Sequence, residues 1–236
     1  MKALILAAGY GTRLAPLTDD IPKALAPVNG KPILLKQIEN LYDAGITDII
    51  VVSGYRANML EAAVHDCFRD VTIIKSADYE TTNNMYSAYL ARKAVAGDDF
   101  LMMNGDVFMD ASVIEALLDF DHPNAIVTDI GFYLPESMKV VEENGRLTRI
   151  SKDIPADEAL GASIDVYRFS PEAGDAFFAK CAEYIEEKGQ KRLWSEVALN
   201  DILAEVEFRA CPLDGRWYEI DNADDLAAAE RIFDDD

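Results

Sequence analysis

The sequence predicts an α/β fold: a mostly parallel sheet with helices on both faces and a β-rich insertion in its second half. Three observations carry this. Short β-branched apolar runs alternate with amphipathic stretches through residue 120, an order that gives parallel strands joined by helical crossovers. From about residue 124 the pattern changes to successive strands and turns. The chain has 236 residues, 50% of them hydrophobic, so folding can bury roughly 70–75% of the unfolded surface. That length suits one domain over 1–236 better than two equal ones.

Taken in order, residues 2–7 (KALILA), 48–53 (DIIVVS), 71–75 (VTIIK) and 99–104 (DFLMMN) are short and apolar. They are expected as buried strands. Helices are expected at about 31–44, 56–67, 83–96 and 111–120, with Pro32 in the first turn of the first and Gly45 at its stop. Between 124 and 169 strands are expected, with Asn144-Gly145 marking a hairpin. Helices follow near 171–188 and 193–204, then a strand at 205–211 and a short WYEID segment at 217–221. A last helix is expected over about 222–233, and Asp234 to Asp236 as a frayed tail.

Lysine and arginine number 22 against 43 aspartates and glutamates, a net charge of −21. A nucleic-acid or anionic-membrane partner is excluded on that ground, because such surfaces call for basic faces. The excess is either ordinary acidic surface or adaptation to high salt. Cys67, Cys181 and Cys211 lack any disulfide or zinc spacing. The opening apolar run is too short for a signal peptide or a membrane span. A soluble, cytoplasmic protein is expected.

The first strand runs straight into Ala7-Ala8-Gly9-Tyr10-Gly11-Thr12-Arg13. Positions without side chains let backbone N–H groups approach a phosphate. Leu14 stands where a dinucleotide fingerprint needs its third glycine, and there is no Gly-Lys-Ser/Thr step. The loop is therefore a phosphate binder of another kind, or simply a tight strand-to-helix turn. Residues 1–40 carry five cations (Lys2, Arg13, Lys23, Lys31, Lys36) against three anions, which favours the phosphate.

The segment Leu6-Ala7-Ala8-Gly9-x-Gly11-Thr12-Arg13-Leu14-x-Pro16-Leu17-Thr18, with Pro22-Lys23 and Pro27-Val28-x-Gly30-Lys31-Pro32, resembles the signature of nucleotidyltransferases that make nucleoside-diphospho sugars and alcohols. The Asn104-Gly105-Asp106 step after a strand extends the resemblance, which covers essentially the whole chain. It implies a Rossmann-like nucleotide-diphospho-sugar transferase fold, with a nucleotide-binding half over about 1–120 and an acceptor-binding half over about 121–236. Leu6, Ala7, Ala8, Gly9, Gly11 and Thr12 would then line the nucleotide.

Asn83-Asn84-Met85-Tyr86-Ser87 resembles a segment of the bacterial choline-phosphate cytidylyltransferases, and so does Trp217-Tyr218-Glu219-Ile220-Asp221. That branch implies CTP as the nucleotide and a small phosphorylated alcohol or amine as acceptor. Asn83, Asn84 and Ser87 are candidate base contacts, the asparagines being equally apt as helix caps. Two features pull elsewhere. Gly145 to Lys152 resembles the sugar-nucleotide enzymes, in which the lysine holds the acceptor phosphate, and Leu193-Trp194-Ser195-Glu196 matches the choline-pocket step only loosely. A sugar-1-phosphate uridylyl-, thymidylyl- or guanylyltransferase, or a silent nucleotide-binding regulator, stays open.

The reaction implied is attack of an acceptor phosphate oxygen on the α-phosphorus, expelling pyrophosphate. A phosphate monoester has a second pKa of about 6 and needs no general base. His65 and His122, read as solvated, are not needed. The catalytic candidates are Lys23 for the α-phosphate, Arg13 for the leaving pyrophosphate and Asp106, with Asp106 and Asp221 as magnesium ligands. Asp106 has a turn, and Asp221 a helix cap, as its bland alternative. Glu219 alternates with Asp221 along its strand and shares its side. Lys152, Trp194 and Glu219 are the acceptor candidates. Trp217, Tyr133 and Tyr218 are further aromatics for a cage if the acceptor carries a quaternary amine.

Overall fold

The computed structural model describes residues 1–234; the expected tail lies outside them from residue 235 on. The strands are β1 Lys2–Ala7, β2 Pro27–Val28, β3 Lys31–Pro32, β4 Ile49–Ser53, β5 Thr72–Lys75, β6 Phe100–Asn104, β7 Val107–Met109, β8 Ala125–Ile130, β9 Lys139–Glu143, β10 Arg146–Ser151, β11 Gly161–Phe169, β12 Arg209–Pro212 and β13 Trp217–Glu219. The α-helices are α1 Leu17–Asp20, α2 Ile33–Asp43, α3 Ala57–Cys67, α4 Asn84–Val95, α5 Ser112–Asp119, α6 Pro171–Ala182, α7 Ser195–Ile202 and α8 Ala223–Ile232.

Among the described residues nine strands make one sheet, running β10-β9-β11-β6-β1-β4-β5, with β8 paired to β11 and β12 to β8. The expected parallel order holds where crossovers are helical: β6, β1, β4 and β5 are mutually parallel neighbours. The β-rich insertion joins this same sheet through β11, which lies antiparallel to β6. Side-chain alternation splits the core. Leu4, Leu6, Ile50 and Val52 pack with α4, α6 and α7 on one face, while Ala3, Ile5, Ile49 and Val51 pack with α2, α3 and α5 on the other. A third, smaller cluster joins Leu14, Val28, Phe108 and Ile220 to Ala229 and Phe233.

Most differences from expectation are local. Pro32 caps α2 instead of entering its first turn, because Lys31–Pro32 pairs with Pro27–Val28. The strand expected at 205–211 starts only at Arg209, and the helix expected over 171–188 turns into a π-helix at Glu183–Glu187. The Asn144-Gly145 turn forms as expected, both residues at positive φ between β9 and β10. No helix among the described residues is long and apolar enough to cross a membrane. All three cysteines are free thiols.

Candidate active site

Open α/β sheets place ligands beyond the carboxyl ends of their parallel strands. Here β1 and β6 end side by side, Leu6 paired with Asn104. The chain turns sharply after each. The loop after β1 is pinned by its own carbonyl: Gly11 O accepts from Leu14 N and from the buried Thr18 hydroxyl, each at 2.9 Å. The turn after β6 is held from below by Gln37 of α2, whose Nε2 donates to Asn104 O and Val107 O, both at 2.8 Å. Asp106 sits on that turn.

Pairing of β13 with β7 brings the C-terminal segment alongside. Ile220 N donates to Asp106 O at 2.9 Å, so Asp221 arrives opposite Asp106. Asp221 is not the cap of α8. Asn222 takes that role in a capping box with Asp225, which leaves the Asp221 carboxylate for the cleft. Lys23 Nζ bridges the two aspartates, 2.7 Å from Asp106 Oδ2 and 2.6 Å from Asp221 Oδ1. Arg13 Nη2 donates to Asp221 Oδ2 at 2.7 Å.

Electrostatics follow from this crowding. Burial works against the Lys23 ammonium, but Asp106 and Asp221 outweigh it and hold its pKa above the ordinary lysine value. Burial likewise opposes the Asp221 carboxylate, yet Lys23 and Arg13 bring its pKa below the usual range. Glu219 loses hydration against the cleft wall and faces Asp106 and Asp221, which together push its pKa up to about 7. Oxygens of Asp106, Glu219 and Asp221 lie within 4.8 Å of one another. Asp106 Oδ1 is buried and has no hydrogen-bond partner among the described residues. An unsatisfied buried carboxylate oxygen among hard oxygen donors fits a divalent cation such as magnesium.

The cleft, of about 360 Å³, is bordered by the residues expected for nucleotide, acceptor and metal, save the cage candidates Tyr133 and Tyr218. Leu6 to Gly9, Gly11, Thr12 and Arg13, then Asn83, Asn84 and Ser87, then Lys152 and Trp194 all line it, as does Glu219 beside Asp106 and Asp221. The two asparagines divide their roles. Asn83 caps α4, its carbonyl accepting from Asn84 N at 2.8 Å. Asn84 accepts from Ser195 N at 2.8 Å and so ties α4 to the start of α7. Of the aromatic candidates, Trp217 borders the cleft and Trp194 is 45% exposed beside it, with Lys152 Nζ 4.9 Å from its ring centre. Tyr133 donates to Ala156 O, and Tyr218 packs into the small third cluster; neither lines the cleft. His65 and His122 also lie away from it, each bonded to a backbone carbonyl.

Sequence reasoning missed Asp165. It sits mid-strand in β11 at φ 60°, where pairing with β8 breaks between Ser163 and Tyr167, and the irregularity leaves it bordering the cleft. Asn104 Nδ2 donates to its Oδ2 at 2.8 Å. Tyr167 Oη lies 2.9 Å from both Asp165 Oδ1 and the buried Glu196 Oε1. One hydroxyl proton serves only one of the two carboxyls at a time, and Glu196 Oε1 also accepts from the Ser195 hydroxyl at 3.0 Å. Burial, then Glu196, Glu219 and Asp106, raise the Asp165 pKa well above the ordinary value. The available signal was a lone aspartate inside the apolar run Ser163-Ile164-Asp165-Val166-Tyr167. Lys139 was also missed. Its buried ammonium donates to Lys152 O at 2.6 Å and Pro135 O at 3.1 Å, fixing the loop that carries Glu136 and Ser137 to the cleft.

Comparison with known proteins bears on this geometry. The choline-phosphate cytidylyltransferase of Streptococcus pneumoniae is 44% identical over 115 residues, covering 44% of this chain and 47% of that protein. The glucose-1-phosphate thymidylyltransferase of Streptomyces griseus is 29% identical over 98% of this chain and 66% of its own length. The matches thus span about half to two thirds of the length of these relatives. Among solved structures, a CTP:phosphocholine cytidylyltransferase from S. pneumoniae has a TM-score of 0.78 at 24% identity, covering 98% of both chains. A glucose-1-phosphate thymidylyltransferase described as putative, from Bacillus anthracis, has a TM-score of 0.82 at 20% identity, covering 100% of this chain and 96% of that one. These likenesses show the fold. The family model described as nucleotidyl transferase matches residues 2–234, and the chain therefore belongs to the nucleotidyl transferase family.

Proposed function

We propose that this protein is a magnesium-dependent cytidylyltransferase, joining CTP to a small phosphorylated alcohol or amine of the phosphocholine kind and releasing pyrophosphate. The observation that carries the reading is the convergence of Lys23, Asp106 and Asp221 at the ends of β1 and β6, with Arg13 on the glycine loop beside them. The whole described chain serves as one unit, residues up to about 120 taking the nucleotide and the remainder the acceptor.

The chemistry this demands is alignment and charge neutralisation. The acceptor phosphate is ionised at neutral pH and attacks without a base, consistent with histidines remote from the cleft. Lys23 stabilises charge growing on the α-phosphate, and Arg13 takes the leaving pyrophosphate, for which a forked guanidinium is suited. Magnesium, held by Asp106 and Asp221 with Glu219 beside them, would supply further neutralisation of the phosphates. Backbone N–H groups of the loop after β1 receive phosphate oxygens.

The choice of CTP rests on Asn83-Asn84 and on likeness to the pneumococcal enzyme over 115 residues. A cationic acceptor is supported by Trp194 and Trp217, which line the cleft together with the carboxyl groups of Asp165, Glu196 and Glu219. A second reading, a sugar-1-phosphate acceptor with UTP or dTTP, is favoured by Lys152 and by likeness to the S. griseus enzyme. Pyrophosphate release with magnesium separates them, over CTP, UTP, dTTP, GTP and ATP with phosphocholine, phosphoethanolamine, inositol phosphate and glucose-1-phosphate. Turnover confined to CTP and an amine or alcohol phosphate supports the first reading; turnover with UTP or dTTP and glucose-1-phosphate supports the second.

A further inference from the structure

The two aspartates best placed for a metal already hold a cation. Three of their four carboxylate oxygens accept from charged groups: Asp106 Oδ2 and Asp221 Oδ1 from Lys23, Asp221 Oδ2 from Arg13. Asp106 Oδ1, the fourth, has no partner among the described residues. Lys23 is poorly placed to yield by moving bodily, since its Cβ lies against Gly11, where an added Cβ would come within 2.7 Å. Its side chain is only 12% exposed. Its Cγ and Cδ would lie 3.1 Å from that same added Cβ, so movement is left to the ammonium end beyond Cδ.

We propose that the Lys23 ammonium is a stand-in for the divalent cation, occupying the Asp106–Asp221 position until nucleotide phosphates draw it away, so that metal alone is turned back and metal and nucleotide enter together. This rests on the nucleotidyl-transfer reading. A divalent ion needs oxygens from these same aspartates, and an ammonium less than 3 Å from both repels it and blocks its approach. Phosphates offer Lys23 and Arg13 new anionic partners. When both turn to them, the three carboxylate oxygens become free for metal. The consequence is positive coupling between metal and nucleotide, and coupling of this kind is reciprocal. The ordering belongs to Lys23 itself, since Arg13 is 71% exposed and screened by water.

The test uses Mn2+ as probe, without nucleotide, counting free ion by electron paramagnetic resonance. The wild type is expected to bind Mn2+ weakly. Lys23→Met, which keeps the stem and removes the charge, is expected to bind it about tenfold more tightly or better. Lys23→Gln serves the same purpose should the methionine variant fail to fold in a melting assay. Adding Asp106→Asn to the neutral variant should abolish the gain, and Lys23→Arg, which retains a cation, should show none. A folded neutral variant that binds Mn2+ no better than the wild type overturns the proposal, as does a gain that survives Asp106→Asn. Because no nucleotide is present, this outcome is independent of turnover: loss of the transferase reading in the pyrophosphate assay would leave the cation exchange to stand or fall on Mn2+ alone.

Discussion

Gly11 makes room for Lys23: a Cβ at position 11 would lie 2.7 Å from Lys23 Cβ, and the Gly11 backbone is left-handed at φ 72°. The glycine loop thus positions the Lys23 side chain, besides the phosphate-binding role proposed for its backbone. Gly11→Ala is expected to cost about 1–2 kcal/mol from backbone strain alone. By displacing Lys23 it should also lower turnover about 100-fold. Thermal melting and steady-state kinetics on the same preparation check both parts.

Asp106→Asn is expected to reduce kcat about 10²–10³-fold with the fold retained, since the turn itself is held by Gln37 and by Ile220 N through backbone atoms. Arg13→Ala should raise KM for the nucleotide while shifting the melting temperature little, its ion pair with Asp221 being largely solvated. Kinetics and melting curves of the two variants distinguish a reacting centre from a structural ion cluster.

The Asp165 pKa is raised on folding. From the unfolded value of about 3.9 up to that raised value, the folded state keeps a proton that the unfolded chain has shed. Stability therefore falls as pH rises through this window. Asp165→Asn removes the titration and tolerates positive φ. Its stability relative to the wild type is expected to be better at pH 8 than at pH 5, by urea denaturation; an unchanged difference would show that Asp165 is ionised in the fold.

The paired asparagines should separate by readout. Asn83→Ala loses a helix cap and is expected to cost about 1 kcal/mol. Asn84→Ala removes the link to Ser195 N and frees the start of α7, so its larger effect should fall on the KM of nucleotide and acceptor. Denaturation and two-substrate kinetics decide between them.

Trp194 is 45% exposed and gives little to the core. Trp194→Ala is expected to leave the melting temperature nearly unchanged and to raise the acceptor KM several-fold, with the nucleotide KM unaffected. Varying each substrate in turn checks it.

The parallel core was legible because Leu4, Ile50, Met102 and their neighbours are buried on both sides of the sheet and read as continuous apolar runs. The loop after β1 was legible because its glycines and cations are contiguous. What escaped the sequence depended on contacts far apart in the chain. Strand β7 is only three residues long and exists because β13, over 100 residues later, pairs with it. Asp165 reaches the cleft through an irregularity in β11 that alternation of residue types does not reveal. Lys139 reads as an ordinary surface lysine until Lys152 O and Pro135 O are found around its ammonium.

In the proposed function, Lys23, Asp106 and Asp221 serve nucleotidyl transfer to a phosphorylated acceptor. Phosphorus NMR of CTP, phosphocholine and magnesium with the wild-type protein tests it most directly. Consumption of CTP is expected with equimolar appearance of pyrophosphate and a CDP-linked diester, and neither product with Asp106→Asn. Release of CDP and inorganic phosphate, or product formation undiminished in Asp106→Asn, would contradict it.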